Sequence, residues 1–183
     1  MKLVLASRSP RRAELLKAAG FDFTVRAADI DETPYEGENP LNYVQRMAKE
    51  KAYAIPAASD ELLLAADTTV VLENEILGKP INAADAIRML RALSGKRHEV
   101  ITAICLRRGD VIRTGLESTS VWFTPMTDAE IAGYAASGEP MDKAGAYGIQ
   151  GLASKFIDRI EGSYTNVVGL PISTVYRNLI DLQ

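Results

Sequence analysis

The sequence contains one cysteine and one histidine, and this scarcity excludes several kinds of site. A zinc centre of the usual type needs three or four Cys or His ligands. Any bound metal must therefore be held by carboxylates, which favours a hard divalent ion such as Mg²⁺ or Mn²⁺. A single cysteine cannot form an internal disulfide. Cys105 lies in the apolar run ITAICL, where we expect a buried structural thiol.

Long apolar runs are also missing, since none approaches the roughly 18–20 residues that a membrane helix requires. The N-terminal segment MKLVLASRSPRR has too short an apolar stretch for a secretory signal, so we expect a cytoplasmic protein. The net charge is −3, which argues against a broadly basic nucleic-acid-binding surface. No Gly-Lys-Ser/Thr and no GxGxxG motif is present, which excludes a Walker A loop and the usual dinucleotide fingerprint.

Strand and helix signals alternate along the 183 residues, a length that favours one domain. Ser9-Pro10 and Asn39-Pro40 each place a capping residue before a proline at the first helical position. Two long β-rich runs, 98–107 and 111–123, predict strands joined by a hairpin turn. We therefore predict a single mixed α/β or α+β domain over residues 1–183, with parallel and antiparallel strands in a strongly curved or extended sheet.

The first loop, residues 7–12, places two serines and three arginines at the start of a helix. The N-terminus of a helix attracts anions, and arginine adds bidentate contacts to phosphate. The structural alternative is a solvated basic first turn. Because the arginines oppose the helix dipole without an evident structural benefit, phosphate binding is favoured.

Two charged residues occupy positions where the pattern is otherwise apolar. Lys51 falls in the apolar stripe of the predicted helix that begins at Pro40, and Asp67 interrupts the apolar run from Leu62 to Leu72. A buried carboxylate must meet a cation, a metal or good hydrogen bonds. A lysine whose stem packs while its head reaches water, and a purely structural aspartate, stay open as alternatives.

Lys79, which precedes Pro80, and the acidic pair Asp31-Glu32 are further charges in predicted turns and loops. Each of them alone is most simply a surface charge. Together with the arginine loop and Asp67, they provide what metal-assisted phosphoryl chemistry needs. Carboxylates bind the cation, and positively charged lysine and arginine side chains bind the phosphate oxygens.

Six sequence blocks stand in order along the chain: SxSPRR, AADTTVV, LGKP, SGKRHEVITA, EPMDKAGAYGIQG and GSYTNVVGLP. In this order and at these distances they closely resemble the Maf family of nucleoside triphosphate pyrophosphatases. The resemblance covers nearly the whole chain, and the DKAGAYGIQG segment is similar to the dTTP/UTP-specific branch. It implies an elongated α/β fold with a mixed, strongly curved sheet flanked by helices, and with two lobes around a central cleft, related to inosine triphosphate pyrophosphatases.

The resemblance also implies a reaction and a set of site residues. The reaction is hydrolysis of dTTP or UTP to the monophosphate and pyrophosphate, with a divalent cation, Mg²⁺ or Mn²⁺. Asp67 is implied as the proton acceptor that activates water and also as a metal-facing residue together with Glu32. The implied specificity residues are Arg12, Thr68 and Gln150, and the implied phosphate-binding residues are Ser7, Arg11, Lys51 and Lys79. Arg8 is left out because the family pattern leaves that position open.

Two alternatives stay open at this stage. One is a nucleotide-binding regulator of septum formation or cell division without significant turnover. The other is a pyrophosphatase that removes modified or damaged pyrimidine nucleotides from the pool. The expected partner is the nucleoside triphosphate substrate, with neither nucleic acid nor membrane, and a homodimer is an open option.

Overall fold

The computed structural model describes residues 2–27 and 29–180. The rest of the predicted domain, residues 1, 28 and 181–183, lies outside the described residues. The strands are β1 (Lys2–Leu5), β2 (Phe23–Val25), β3 (Glu61–Leu72), β4 (Glu75–Leu77), β5 (Arg97–Arg108), β6 (Val111–Phe123) and β7 (Ile157–Glu161). The α-helices are α1 (Pro10–Ala18), α2 (Pro40–Tyr53), α3 (Ala83–Leu93), α4 (Asp128–Ala136), α5 (Tyr164–Val168) and α6 (Ile172–Ile180). Short 3-10 helices cover Glu139–Asp142, Ala144–Ala146 and Leu152–Phe156.

The predicted helix starts are confirmed. Helix α1 begins at Pro10 after Ser9, although the Ser9 side chain makes no capping bond. The Asn39 side chain accepts a hydrogen bond from the Leu41 N–H and so caps α2. Both helices therefore begin with a proline at the first helical position, and α2 has a side-chain cap in addition.

The strands form a mixed sheet, as predicted. Its hydrogen-bonded order is β2-β1-β3-β5-β6-β7, and β4 pairs with β3. Strand β1 is parallel to both β2 and β3, with Leu5 opposite Val25 and Leu64. The β3–β4 and β6–β7 pairs are antiparallel. The β3–β4 turn is made by Glu73 and Asn74, both with positive φ, which is typical of a tight two-residue hairpin.

Two local features near the C-terminus go beyond what the sequence indicates. The sequence predicts a short strand around Lys155 to Ile160, and β7 begins at Ile157 because Leu152–Phe156 forms a 3-10 helix first. Helix α5 was not predicted. The Ser163 hydroxyl accepts a hydrogen bond from the Asn166 N–H, which stabilises the first turn of this short helix.

The chain divides into two compact units, which agrees with the two lobes that the resemblance implies. The first unit comprises Met1–Thr68, Thr102–Glu117 and Gly169–Gln183. Its buried apolar cluster joins α1, the parallel strands, β5 and α6. The cluster consists of Leu5, Leu16, Leu62, Leu64, Ala66, Ile104, Leu106, Leu170, Val175 and Leu179.

The second unit comprises Thr69–Ile101 and Ser118–Val168. Its core packs α3 and α4 with the remaining parts of β3, β5 and β6, and includes Leu90, Phe123 and Tyr147. Strands β3, β5 and β6 each contribute residues to both units. Over the described part of the chain, no helix has the length and apolar character needed to cross a membrane. Cys105 is buried, and burial raises the pKa of its thiol, as a structural role requires.

Candidate active site

The carboxyl ends of β1 and β2, and the part of β3 that extends beyond its pairing with β1, carry predicted residues of the first unit. Ser7 follows β1, the segment that contains Glu32 follows β2, and Asp67 lies in β3 beyond its pairing with β1. Because β1, β2 and β3 run in the same direction, their carboxyl ends meet at the same edge. Ligand sites of open α/β sheets are commonly built at this edge.

Lys51 is the centre of a cluster with two carboxylates. Its Nζ lies 2.6 Å from Oδ1 of Asp67 and 2.6 Å from Oε1 of Glu32. Lys51 and Asp67 are only 9% and 6% exposed, so the two charges interact in a largely dehydrated environment. The expectation that Asp67 meets a cation, a metal or good hydrogen bonds is met by the Lys51 ammonium. Lys51 is a buried residue, which argues against the alternative of a lysine whose head reaches water.

The net charge of this cluster opposes the binding of an anion. Two carboxylates and one ammonium leave a formal charge of −1, which repels a triphosphate unless another cation is present. Within residues 2–27 and 29–180, no group of three or more His, Cys, Asp or Glu could hold a metal ion. Two carboxylates nevertheless fit Mg²⁺, which commonly binds through one or two carboxylates together with waters and substrate phosphates.

Arg12 makes an extended set of hydrogen bonds in the same unit. Its Nε donates to Gly169 O at 2.8 Å, and Nη1 donates to Ala66 O at 2.7 Å and to Ser7 Oγ at 3.3 Å. Its Nη2 donates to Thr68 Oγ1 at 3.0 Å. Four of the five N–H groups of the guanidinium are thus used within the protein. Arg12 therefore fixes Ser7, Thr68 and Gly169 relative to one another.

Thr68 continues this network. Its hydroxyl lies 2.9 Å from Thr102 Oγ1 and 3.3 Å from Gly169 O. Gly169 has φ +124°, a conformation that residues with a Cβ rarely adopt. The backbone at residue 169 can therefore present its carbonyl to both Arg12 and Thr68.

Ser7 and Arg11 occupy the loop and the first turn of α1. Ser7 is buried, and its Oγ accepts hydrogen bonds from Ser9 N at 3.1 Å and from Arg12 Nη1. Both bonds use the hydroxyl as an acceptor, so its O–H remains a donor for an anion. Arg11 lies half-buried in the first turn of the helix.

Electrostatics link the Arg12 network to the carboxylates. Burial lowers the pKa of Arg12, and the negative charges of Asp67 and Glu32 partly oppose this change. Burial also raises the pKa of Tyr43, and the same two carboxylates raise it further. The two carboxylates therefore lie close enough to affect the pKa of both Arg12 and Tyr43.

Lys79 and Gln150 belong to the second unit, where the glycine-rich segment is held by other residues. Lys79 is exposed and directly follows Gly78, whose carbonyl accepts a hydrogen bond from Gly145 N at 3.0 Å. Gln150 is exposed between Gly148 and Gly151. Gly145 has φ +68°, and a Cβ there would lie 2.7 Å from a Val70 methyl group, so only glycine fits this turn.

Glu139 and Lys143 fix the segment that carries Gln150, and the sequence did not single them out. Glu139 Oε1 accepts from Tyr134 Oη at 2.9 Å, and its Oε2 accepts from Leu152 N at 3.0 Å. Lys143 Nζ donates to Glu139 O at 2.7 Å. A glutamate before proline gives no signal of such a role, because its partners, the Tyr134 hydroxyl and the Leu152 N–H, are brought to it by the fold.

Tyr43, Arg46 and Glu38 are further residues that the sequence did not identify. Tyr43 Oη donates to Glu32 O at 2.9 Å, and Arg46 makes two hydrogen bonds to the Glu38 carboxylate at 2.8 and 2.6 Å. The only available signal was the position of Tyr43 and Arg46 in the helix that also carries Lys51.

Comparison with protein families matches residues 2–182 to the family described as Maf-like protein. The chain belongs to the Maf family. Among Maf relatives, a protein of Shewanella sp. (strain MR-7) named dTTP/UTP pyrophosphatase is 56% identical over 181 residues, covering 94% of this chain and 93% of the relative. A protein of the same name from Anaeromyxobacter dehalogenans (strain 2CP-1 / ATCC BAA-258) is 54% identical over 177 residues, covering 94% and 89%.

Solved structures similar to this Maf chain are more distant. The Ham1 protein of Staphylococcus aureus has a TM-score of 0.47 and 16% identity, over 67% of this chain and 72% of that one. A HAM1 protein of Coxiella burnetii has a TM-score of 0.46 and 18% identity, over 67% and 73%. The assignment to the Maf family therefore depends on the sequence comparisons.

Proposed function

We propose that this chain hydrolyses dTTP and UTP to the nucleoside monophosphate and pyrophosphate. Its relatives over nearly the full length are named dTTP/UTP pyrophosphatases. The structural observation that supports the proposal most strongly is the buried Asp67 carboxylate, held by Lys51, which also binds Glu32. A protein that only binds an anion, without a metal ion, has no use for two carboxylates at this place.

The proposed reaction breaks one phosphoanhydride bond. A water oxygen attacks the α-phosphorus, the bond from this phosphorus to the bridging oxygen breaks, and pyrophosphate leaves. Asp67 accepts the proton that the attacking water loses. Its pairing with Lys51 orients the carboxylate for this task.

Asp67 and Glu32 are the residues that we propose to hold a divalent cation, Mg²⁺ or Mn²⁺. When bound, the cation neutralises charge on the phosphate oxygens. The net negative charge of the Lys51 cluster is consistent with a requirement for a divalent cation. We propose that Ser7, Arg11, Lys51 and Lys79 contact the phosphates, because a hydroxyl donor and three cations complement an anionic chain.

Selection of the base is assigned to Arg12, Thr68 and Gln150. Gln150 offers one acceptor and two donors, which can pair with the N3–H and a carbonyl of uracil or thymine. Because Arg12 is largely engaged within the protein, we propose that it acts by orienting Thr68. The two units are proposed to form one domain. House-cleaning of a cytoplasmic nucleotide pool, including modified pyrimidine nucleotides, is the proposed role, without nucleic acid or membrane partners.

The test is a measurement of pyrophosphate release from a panel of nucleoside triphosphates, with and without Mg²⁺ or Mn²⁺. The proposal predicts metal-dependent release from dTTP and UTP in preference to CTP and purine nucleotides. Tight binding of dTTP without release of pyrophosphate would instead favour the regulatory alternative. Faster turnover of methylated or damaged pyrimidine nucleotides than of dTTP would identify those as the substrates.

A further inference from the structure

The segment between β2 and α2, residues 26–39, carries Glu32, and its described residues, 26–27 and 29–39, form neither helix nor strand. The residues from Thr33 to Gly37 are exposed. A connection of this length is normally held loosely unless side chains attach it to the fold. Glu32 nevertheless has to be held at Lys51 to complete the cluster.

Arg46 of α2 attaches this segment to the helix. Its Nε and Nη2 bind the two oxygens of Glu38 at 2.8 and 2.6 Å, a bidentate pair. Nη2 also donates to Thr33 O at 3.2 Å, and the guanidinium carbon lies 3.8 Å from the centre of the Tyr35 ring. The contacts of one side chain therefore cover residues 33, 35 and 38.

The attachment is well shielded and has a second point of support. The side chains of Arg46 and Glu38 are 18% and 9% exposed, so water competes poorly for their hydrogen bonds. Glu38 also accepts a hydrogen bond from Tyr35 N at 3.0 Å. One turn before Arg46, Tyr43 Oη holds the carbonyl of Glu32 itself.

We propose that Arg46 is a positioning residue that holds Glu32 at Lys51 and Asp67 and so sets the affinity for the divalent cation. This inference rests on the proposed function, and Arg46 itself touches neither substrate nor metal. A lysine cannot replace it, because an ammonium lacks both the bidentate fork and the flat face that stacks on Tyr35.

Arg46→Met and Glu38→Gln each disrupt the ion pair that attaches the segment, the first by removing the guanidinium and the second by removing the charge of the carboxylate. Glu38→Gln is the milder change. Arg107→Met is the matched control, because Arg107 binds Ala52 O and Ile55 O at 3.1 and 2.6 Å and lies over the Tyr53 ring. Arg107 therefore binds backbone carbonyls at the C-terminal end of α2 and just beyond it, and none of these contacts involves the segment that carries Glu32.

Two measurements separate the positioning role from a general loss of stability. Hydrogen exchange of residues 30–38 in metal-free protein should accelerate in both Arg46→Met and Glu38→Gln but stay unchanged in Arg107→Met. Calorimetric titration with Mg²⁺ should show affinity lowered about tenfold, the scale found when residues that orient metal ligands are removed. The double variant should be no worse than Arg46→Met, because the two residues act as one unit.

Parent-like exchange and Mg²⁺ affinity in Arg46→Met would overturn the inference, as would an equal loss of affinity in Arg107→Met. Neither measurement requires turnover. If the parent releases no pyrophosphate, the proposed function fails, while exchange and Mg²⁺ binding still decide whether Arg46 holds the segment.

Discussion

The Lys51 ammonium lies 2.6 Å from a carboxylate oxygen of Asp67, and both side chains are buried. Removal of Lys51 alone would take this cation away from the Asp67 carboxylate in a poorly hydrated place, whereas removal of Asp67 would leave Lys51 paired with Glu32. The second carboxylate, Glu32, depends on the same ammonium. Three residues that the chain supplies from separate segments therefore form one electrostatic unit.

Lys51→Met should lower stability. The apolar stripe alone would predict the opposite, that methionine preserves or raises stability, since it replaces a costly buried charge. With two carboxylates on its Nζ, loss of Lys51 should instead lower the free energy of unfolding by about 3 kcal/mol. Urea unfolding measures this, with Lys49→Met, an exposed lysine of the same helix, as the control. Unchanged stability of Lys51→Met would contradict the assigned pairing.

Gln150→Glu should lower the rates with dTTP and UTP more than the rate with CTP. The carboxylate lacks the N–H donors that pair with a carbonyl of uracil or thymine. A good bidentate base contact is worth roughly 1–3 kcal/mol by analogy with duplex readout, or about ten- to a hundredfold in preference.

Competition assays with mixed nucleotides measure this preference directly. Gln150→Met is the control for the added charge, because it removes the hydrogen bonds without adding an anion near the phosphates. If the preference for dTTP over CTP is the same in both variants as in the parent, Gln150 does not read the base.

Stability should fall as the pH drops below 6.5 because of His98. This side chain is buried, and its Nε2 shares a hydrogen bond of 2.8 Å with Tyr147 Oη. The centre of its ring lies 5.0 Å from that of Phe123. Burial lowers its pKa from 6.5 to about 4. Between these two pKa values, His98 is protonated in the unfolded chain but not in the folded chain, so lowering the pH favours unfolding.

The chain has a single histidine, which isolates this effect above the range where carboxylates titrate. The free energy of unfolding should fall by about 2 kcal/mol between pH 6.5 and 5, since one pKa unit corresponds to about 1.4 kcal/mol. Urea titrations at several pH values measure the slope. In His98→Gln the slope should largely disappear, and a slope equal to that of the parent would assign the effect to other groups.

The sequence was informative where structure depends on neighbouring residues. Asn39 and Pro40 determine the start of α2 through a side-chain cap and a fixed φ, and both act within a few residues. The conflict between a charge and its apolar surroundings also identified Lys51 and Asp67, because burial of a charge demands a partner wherever that partner lies.

The sequence did not indicate the role of a residue whose interaction partner is distant along the chain or is a backbone group. Nothing in the pattern predicted that Glu32 would share Lys51 with Asp67, since three parallel strands must pair before their carboxyl ends meet. Arg46 and Glu38 looked like ordinary surface charges, and their role depends on the path of the chain between β2 and α2. The division of β3 and β5 between two units likewise depends on tertiary packing.

The central claim is that the Asp67 carboxylate activates water, and Asp67→Asn tests it most directly because the amide preserves the shape but cannot accept the proton. Single-turnover release of pyrophosphate from dTTP should fall by about 10²–10⁴-fold, the usual contribution of a general base. Affinity for dTTP should stay within a modest factor, and Asp60→Asn, a surface aspartate paired with Lys2, should behave like the parent. Hydrolysis by Asp67→Asn at more than a tenth of the parent rate would contradict the account.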